Sequence, residues 1–257
     1  MMDEVLSVRQ LTTGYDDVVV LDGLDLDVAA GEVVAMLGPN GSGKTTLLRA
    51  LSGQLPISQG RVVFKGEEQH RGLHHRARRG LAYIGDDKSI FPGLTTKENL
   101  KLAQCDSAAV LAMFPELESR LSIRAGLLSG GEQQMLAVGR ALGRKPDLVM
   151  ADELSMGLAP LIVKRILKTL RTAADSGVGV LIVEQYVDDV LAIADSVYVL
   201  GRGRVEFSGS AAEFSSKRQL IEDSYFATAR QPKSNGSTES VLSDRTVDGR
   251  GRPNDFI

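Results

Sequence analysis

The run GPNGSGKTT, residues 38–46, constrains this chain more than any other stretch, because it fits G-x-x-x-x-G-K-[ST] and has the flanks that pattern requires. An apolar segment, 33–37, precedes it and reads as a buried strand, and a helix-forming run, 45–51, follows. Gly38, Gly41 and Gly43 carry no Cβ, so backbone N–H groups can approach triphosphate oxygens closely. The helix aims its N-terminus at the same anion. Pro39, Asn40, Ser42 and Thr46 complete the cradle. Lys44 would bridge β- and γ-phosphate oxygens, and the Thr45 hydroxyl would ligate Mg²⁺ alongside Asp152. A mere glycine-rich turn would explain neither the flanks nor the Lys-Thr pair.

A second apolar strand, 148–151, ends in Asp152-Glu153. Adjacent carboxylates at the C-terminal edge of a sheet repel each other unless a cation or water uses them. Asp152 suits the Mg²⁺ shell, and Glu153 suits polarisation of an attacking water. Between loop and carboxylates stands LSGGEQQ, 128–134. Ser-Gly-Gly alone marks only a loop. Here it opens a helix, since residues 130–142 carry Met135, Leu136, Val138 and Leu142 among polar positions. Ser129, Gly130, Gly131 and Glu132 therefore lie at a helix N-terminus, where an anion is favoured.

Together these elements resemble the nucleotide-binding subunits of ABC transporters. The resemblance implies an α/β, P-loop NTPase fold of the ABC ATPase type: a mainly parallel core sheet, an antiparallel β subdomain, and a short helical signature subdomain at about residues 96–145. ATP and Mg²⁺ are the implied ligands. In this family the 129–131 element grips the γ-phosphate of ATP held by the opposite subunit, so one chain builds two half-sites and activity requires a dimer. Tyr15, after Thr12-Thr13-Gly14, falls where the family stacks an aromatic on adenine. Asp86, after the strand 81–84, falls where most relatives have a glutamine that senses Mg²⁺ and the attacking water. An acid there can bind metal but cannot donate a hydrogen bond when ionised. Gln185 stands where most relatives place a histidine against the γ-phosphate; it can donate an amide hydrogen bond but supplies no imidazolium charge. The chain's histidines are His70, His74 and His75, all far upstream.

SMGLAP at 155–160, VEQ at 183–185, the acid at Asp86 and FPGLTTKENL at 91–100 look like the shorter of the two ATPases in branched-chain amino acid importers, over about residues 5–227. Gly85, Asp87 and Leu154 depart from that group, where proline, glycine and proline are usual. Urea and short amides are carried by close relatives. The implied partners are membrane permease subunits, a second and different ABC ATPase (the alternative being a homodimer) and, indirectly, an extracytoplasmic solute-binding protein. The implied location is the cytoplasmic face of the plasma (inner) membrane. Two rival readings remain at this stage. A regulatory ABC module with little turnover is motivated by Asp86 and Gln185 and opposed by Lys44, Asp152, Glu153 and Ser129. A nucleic-acid or ribosome ATPase of this family would carry two cassettes or coiled-coil arms, which this chain lacks, so no nucleic-acid partner is expected.

With 257 residues, 43% hydrophobic content and a net charge of −3, the chain is long enough for one sizeable α/β domain or two small ones. No apolar run approaches the roughly 18 residues of a membrane span, and Asp3 and Glu4 replace the basic start of a signal peptide. Cys105 is alone, which excludes an intramolecular disulfide and fits a reducing cytosol. Short β segments are expected at 5–11, 18–21, 24–28 and 61–65, and further parallel strands at 178–183 and 196–200. A helix is expected at 161–174, and mostly short helical pieces at 96–127, broken by Pro115. Residues 1–227 form the expected ATPase domain, and 228–257, rich in Ser, Arg, Asp, Gly and Pro, the expected disordered tail. Arg71, Arg76, Arg78 and Arg79 with the three histidines read as a solvated helix face.

Overall fold

The structure, a computed structural model, describes residues 4–184 and 187–221. Two sheets organise it. The first is antiparallel, with strand order β2-β1-β4-β5, formed by β1 (Glu4–Tyr15), β2 (Val18–Ala29), β4 (Gln59–Phe64) and β5 (Glu67–Glu68). The second runs β10-β9-β3-β8-β7-β6, formed by β3 (Val33–Leu37), β6 (Leu81–Ile84), β7 (Leu148–Asp152), β8 (Gly179–Glu184), β9 (Ser196–Gly201) and β10 (Arg204–Ser210). It is parallel from β9 to β6, and only the β9–β10 pair is antiparallel.

The expected segments 18–21 and 24–28 are one strand. Asp22-Gly23 reads locally as a turn, yet it forms a bulge. Gly23, at φ 65°, donates its N–H to Thr12 Oγ1, and Gln10, at φ 50°, donates N–H and amide hydrogens to Asp25. Such bulges bend a strand without ending its pairing. β10 had no counterpart in the sequence reading.

The central strands are buried on both faces, and alternate residues serve different cores. Val33, Ala35 and Leu37 face a core shared with α5 (Gly130–Leu142) and α6 (Pro160–Asp175), whereas Val34 and Met36 face one shared with α1 (Lys44–Ser52) and the antiparallel sheet. Val163, Ile166, Leu167 and Leu170 bury the inner side of α6. α3 (Thr96–Leu102), α4 (Ser107–Met113) and a 3₁₀ turn at Pro115–Arg120 lead into α5, so the helical region is built of short pieces with Pro115 opening one of them.

One expectation fails. Arg76, on α2 (Leu73–Arg78), is buried; its guanidinium donates to the carbonyls of Ala50 and Leu51 at the C-terminal end of α1, and to those of Gln69 and Arg71. A cation favours a helix C-terminus, where carbonyls lack partners. Burial lowers the Arg76 pKa from its ordinary value. The remaining elements are α7 (Val187–Leu191) and α8 (Ala211–Ile221), and the expected tail at 228–257 lies outside the described residues.

The parallel register fixes the functional edge. Leu37 pairs with Glu184 and Asp152 pairs with Val183, so the C-terminal ends of β3, β7 and β8 lie side by side. The loop 38–43, the Asp152-Glu153 pair and Glu184 all leave the sheet at that edge.

Candidate nucleotide site

The loop after β3 is held by backbone conformations that favour glycine. Gly43 caps α1 at φ 108°, and a Cβ added to Gly38 would stand 2.4 Å from the Leu200 carbonyl oxygen. Lys44 is 5% exposed and donates its ammonium hydrogens to the carbonyls of Gly38 at 2.8 Å and Pro39 at 3.0 Å. Burial lowers its pKa, while the charges of Glu153, Asp152 and Glu184 act in the opposite direction. The Ser42 hydroxyl is buried without a hydrogen-bond partner. A loop with an orphan hydroxyl, a buried ammonium and a helix N-terminus matches the donor set that phosphate oxygens require.

Asp152 is 2% exposed, and among the described residues neither of its buried carboxylate oxygens has a hydrogen-bond partner. Burial pushes its pKa up, and the neighbouring Thr45 hydroxyl pulls it down. The Glu153 and Asp86 charges add to the upward push, so Asp86 lies within electrostatic reach. Two buried acceptor oxygens beside a hydroxyl, with acids around them, form a donor set suited to a hard divalent cation. No cluster of three or more His, Cys, Asp or Glu side chains suited to a metal occurs among the described residues. Mg²⁺ fits this site because it takes one or two protein ligands and fills the rest of its shell with phosphates and water.

Glu153 adopts φ 45°, a left-handed conformation that costs about 1–3 kcal/mol in a non-glycine residue. Its N–H donates to the Val183 carbonyl at 2.9 Å. Two residues on, Ser155 donates its N–H at 2.9 Å and its hydroxyl at 2.7 Å to the two carboxylate oxygens of Glu184, which is itself 1% exposed. The sequence reading assigned Glu184 no role. Its signal was the one that exposed Asp152: a carboxylate ending an otherwise apolar strand.

The signature element stands apart. Ser129 caps α5, accepting from the Glu132 N–H, while the Glu132 carboxylate accepts from the Ser129 N–H at 2.8 Å and from Arg120 at 2.6 Å. Glu132 thus orients Ser129 through a capping box. Lys88 Nζ lies 3.4 Å from the Gly130 carbonyl, and Gly131 packs against Ile162. Among the described residues no hydrogen bond joins 129–131 to the loop 38–46. Ser129 and Gly130 are exposed.

Tyr15 is 40% exposed, and its hydroxyl accepts from Arg49 of α1. Asp86 is exposed and its carboxylate accepts from the Asp87 N–H, inside the turn that the Lys88 N–H closes on the Gly85 carbonyl. Gln185 lies outside the described residues. Sequence reasoning also missed why FPGLTTKENL holds together. Buried Asn99 donates to the carbonyls of Phe91, Leu94 and Thr95 and accepts from the Phe91 N–H.

Residues 21–155 match the ABC transporter family. The chain is 38% identical over 219 residues to the high-affinity branched-chain amino acid transport ATP-binding protein BraG of Pseudomonas aeruginosa, covering 81% of this chain and 94% of that protein. It is 37% identical over 222 residues to the probable branched-chain amino acid transport ATP-binding protein LivF of Archaeoglobus fulgidus, covering 81% and 93%. Its fold is similar to a nucleotide-free ATP-binding cassette from an ABC transporter, with a TM-score of 0.79 at 24% identity over 89% of this chain and all of that one. With the loop, the paired carboxylates and the capped signature helix in place, the chain belongs to the ABC transporter family and is one of its ATP-hydrolysing subunits.

Proposed function

We propose that this chain energises an importer of branched-chain or related amino acids by binding and hydrolysing ATP with Mg²⁺. The carrying observation is Asp152, buried with both oxygens unpartnered beside Thr45 and at the edge that holds Lys44. Such an arrangement is unfavourable unless a cation and its phosphate ligands complete it. Thr45 and Asp152 would hold Mg²⁺, with Asp86 at its margin, and the ion would neutralise charge on the phosphates. The loop 38–46 binds the triphosphate, Lys44 neutralises its outer oxygens, and Tyr15 offers a face to adenine. Glu153 accepts the proton of the attacking water, and Gln185 offers an amide hydrogen to the γ-phosphate.

Solute identity comes from the likeness to the two branched-chain amino acid transport proteins. A second ATPase subunit is supported by the exposure of the signature element and of the apolar side chains around it. Leu127 is 77% exposed, Met156 63% and Leu161 81%, large apolar side chains that a partner's surface would cover. The partner is proposed to be a different ABC ATPase, with a homodimer as the alternative. Both would sit with permease subunits at the cytoplasmic membrane face, fed from outside by a solute-binding protein. No described helix is long and apolar enough to cross a membrane.

The test is co-expression with the neighbouring transport genes, followed by ATP-driven uptake of labelled leucine into proteoliposomes. Uptake that requires ATP, and that Glu153→Gln abolishes, is the expected result. ATP hydrolysis without uptake of any branched-chain amino acid would overturn the solute assignment, and two copies of this chain with no second ATPase would overturn the heterodimer.

A further inference from the structure

The end of β8 grips the turn that follows Glu153 from two sides. Val183 accepts the Glu153 N–H at 2.9 Å, and the next residue, Glu184, accepts both the N–H and the hydroxyl of Ser155, at 2.9 Å and 2.7 Å. Between these anchors Glu153 holds φ 45°, a conformation that persists only where its surroundings over-determine it. One hydrogen bond from the strained residue's own N–H and two from Ser155 do so here. The anchor is itself buried at 1% exposure, so water does not compete for its oxygens.

We propose that Glu184 is a positioning residue for hydrolysis: its carboxylate clamps Ser155 and so holds the Glu153 side chain in the direction that reaches the attacking water. The inference rests on the ATPase reading of Glu153 given above. A neutral residue of the same shape cannot do the same work. Both Ser155 groups donate, and a glutamine amide presents one acceptor oxygen and one NH₂, so one bond is lost or reversed. The Glu184 charge also reaches Lys44, and its loss makes the phosphate site less negative. Nucleotide binding therefore has no electrostatic reason to weaken.

The experiment is steady-state hydrolysis by the assembled transporter carrying Glu184→Gln, with nucleotide affinity and melting temperature measured on the same preparation. The expected result is a fall in kcat on the order of 10- to 100-fold, as for displacement of a catalytic group by about 1 Å, with KM for ATP changed by less than about 2-fold. Ser155→Ala removes one of the two donors, so its effect is expected to be smaller. The double variant should be no slower than Glu184→Gln alone, because both act through one clamp. In a Glu153→Gln background, single-turnover release of labelled γ-phosphate should be the same with Glu184 or Gln at 184.

Wild-type kcat in Glu184→Gln would overturn the proposal, and so would a further loss in the Glu153→Gln background, which would place its action elsewhere. A loss of affinity or of melting temperature in proportion to the loss of rate would reduce Glu184 to a structural role. If Glu153→Gln itself hydrolysed ATP at the wild-type rate, the underlying assignment of Glu153 would fail instead.

Discussion

The loop half-site and the signature half-site solve opposite problems. At the loop, polar groups are buried and short of partners: Asp152 with two orphan oxygens, Ser42 with an orphan hydroxyl, Lys44 folded onto carbonyls, and Glu153 in a left-handed conformation. At the signature helix, Ser129 and Glu132 satisfy each other in a capping box and remain at the surface. The first half is incomplete without a ligand of its own. The second is complete alone, and its exposed N-terminus can serve a phosphate brought by another subunit. On the proposed reading, strain and orphan groups belong to the half that binds and reacts, and a satisfied exposed cap belongs to the half that meets a partner.

The largest expected effect is at the loop half. Glu153→Gln should lower hydrolysis by about 100-fold or more while leaving ATP binding intact, since it removes the proton acceptor and spares the phosphate cradle. Turnover near wild type in the assembled complex would erase the contrast. Lys44→Ala should weaken ATP affinity by roughly 10- to 100-fold, as expected for loss of a charge-assisted hydrogen bond worth about 1.5–3 kcal/mol. Equilibrium binding with a fluorescent ATP analogue checks it.

Ser129→Ala should separate the halves. The isolated chain should bind ATP as before, whereas hydrolysis by the assembled complex should fall roughly 10-fold. Loss of the cap should cost about 0.5–2 kcal/mol of stability. Weakened ATP binding in the isolated chain would mean that the signature element serves its own loop.

Asp152→Asn tests whether the loop half stores instability. Burial raises the Asp152 pKa in the folded chain, so between the ordinary carboxylate range and that raised value the folded state holds the extra proton. Stability is therefore greatest below this window and is lost as pH rises through it. Removing the charge should raise the melting temperature of the nucleotide-free protein by about 2–4 °C near neutral pH, for a gain of about 1 kcal/mol, and by less at low pH. Scanning calorimetry at two pH values would refute this if the variant melted lower at both. The smallest effect is expected for deletion of 228–257, which carries too little apolar content to pack on the domain. The melting temperature and ATP affinity should not change, and a large drop in either would show that the segment is part of the fold.

Much of the site was legible because its chemistry is local in the chain. Gly38 to Thr46 declare a phosphate loop within nine letters, and Ser129 with Glu132 declares a helix cap within four. Arg76 was misread because the partners that bury it, Ala50 and Leu51, lie 26 and 25 residues away on another helix. β10 went unseen because it is an edge strand whose Arg204, Glu206 and Ser208 face solvent, so no apolar run marked it.

Local chemistry, then, was enough to read an ATP-binding chain and the alternating α/β pattern that carries its phosphate-loop motif. Tertiary structure decided what surrounds those residues. The parallel register sets Leu37 opposite Glu184 and Asp152 opposite Val183, and that alignment brings Glu184 to Ser155 across 29 positions of sequence. Burial and strain likewise belong to the assembled edge, because an orphaned oxygen or a left-handed glutamate depends on which neighbours exclude water and which hydrogen bonds hold the turn.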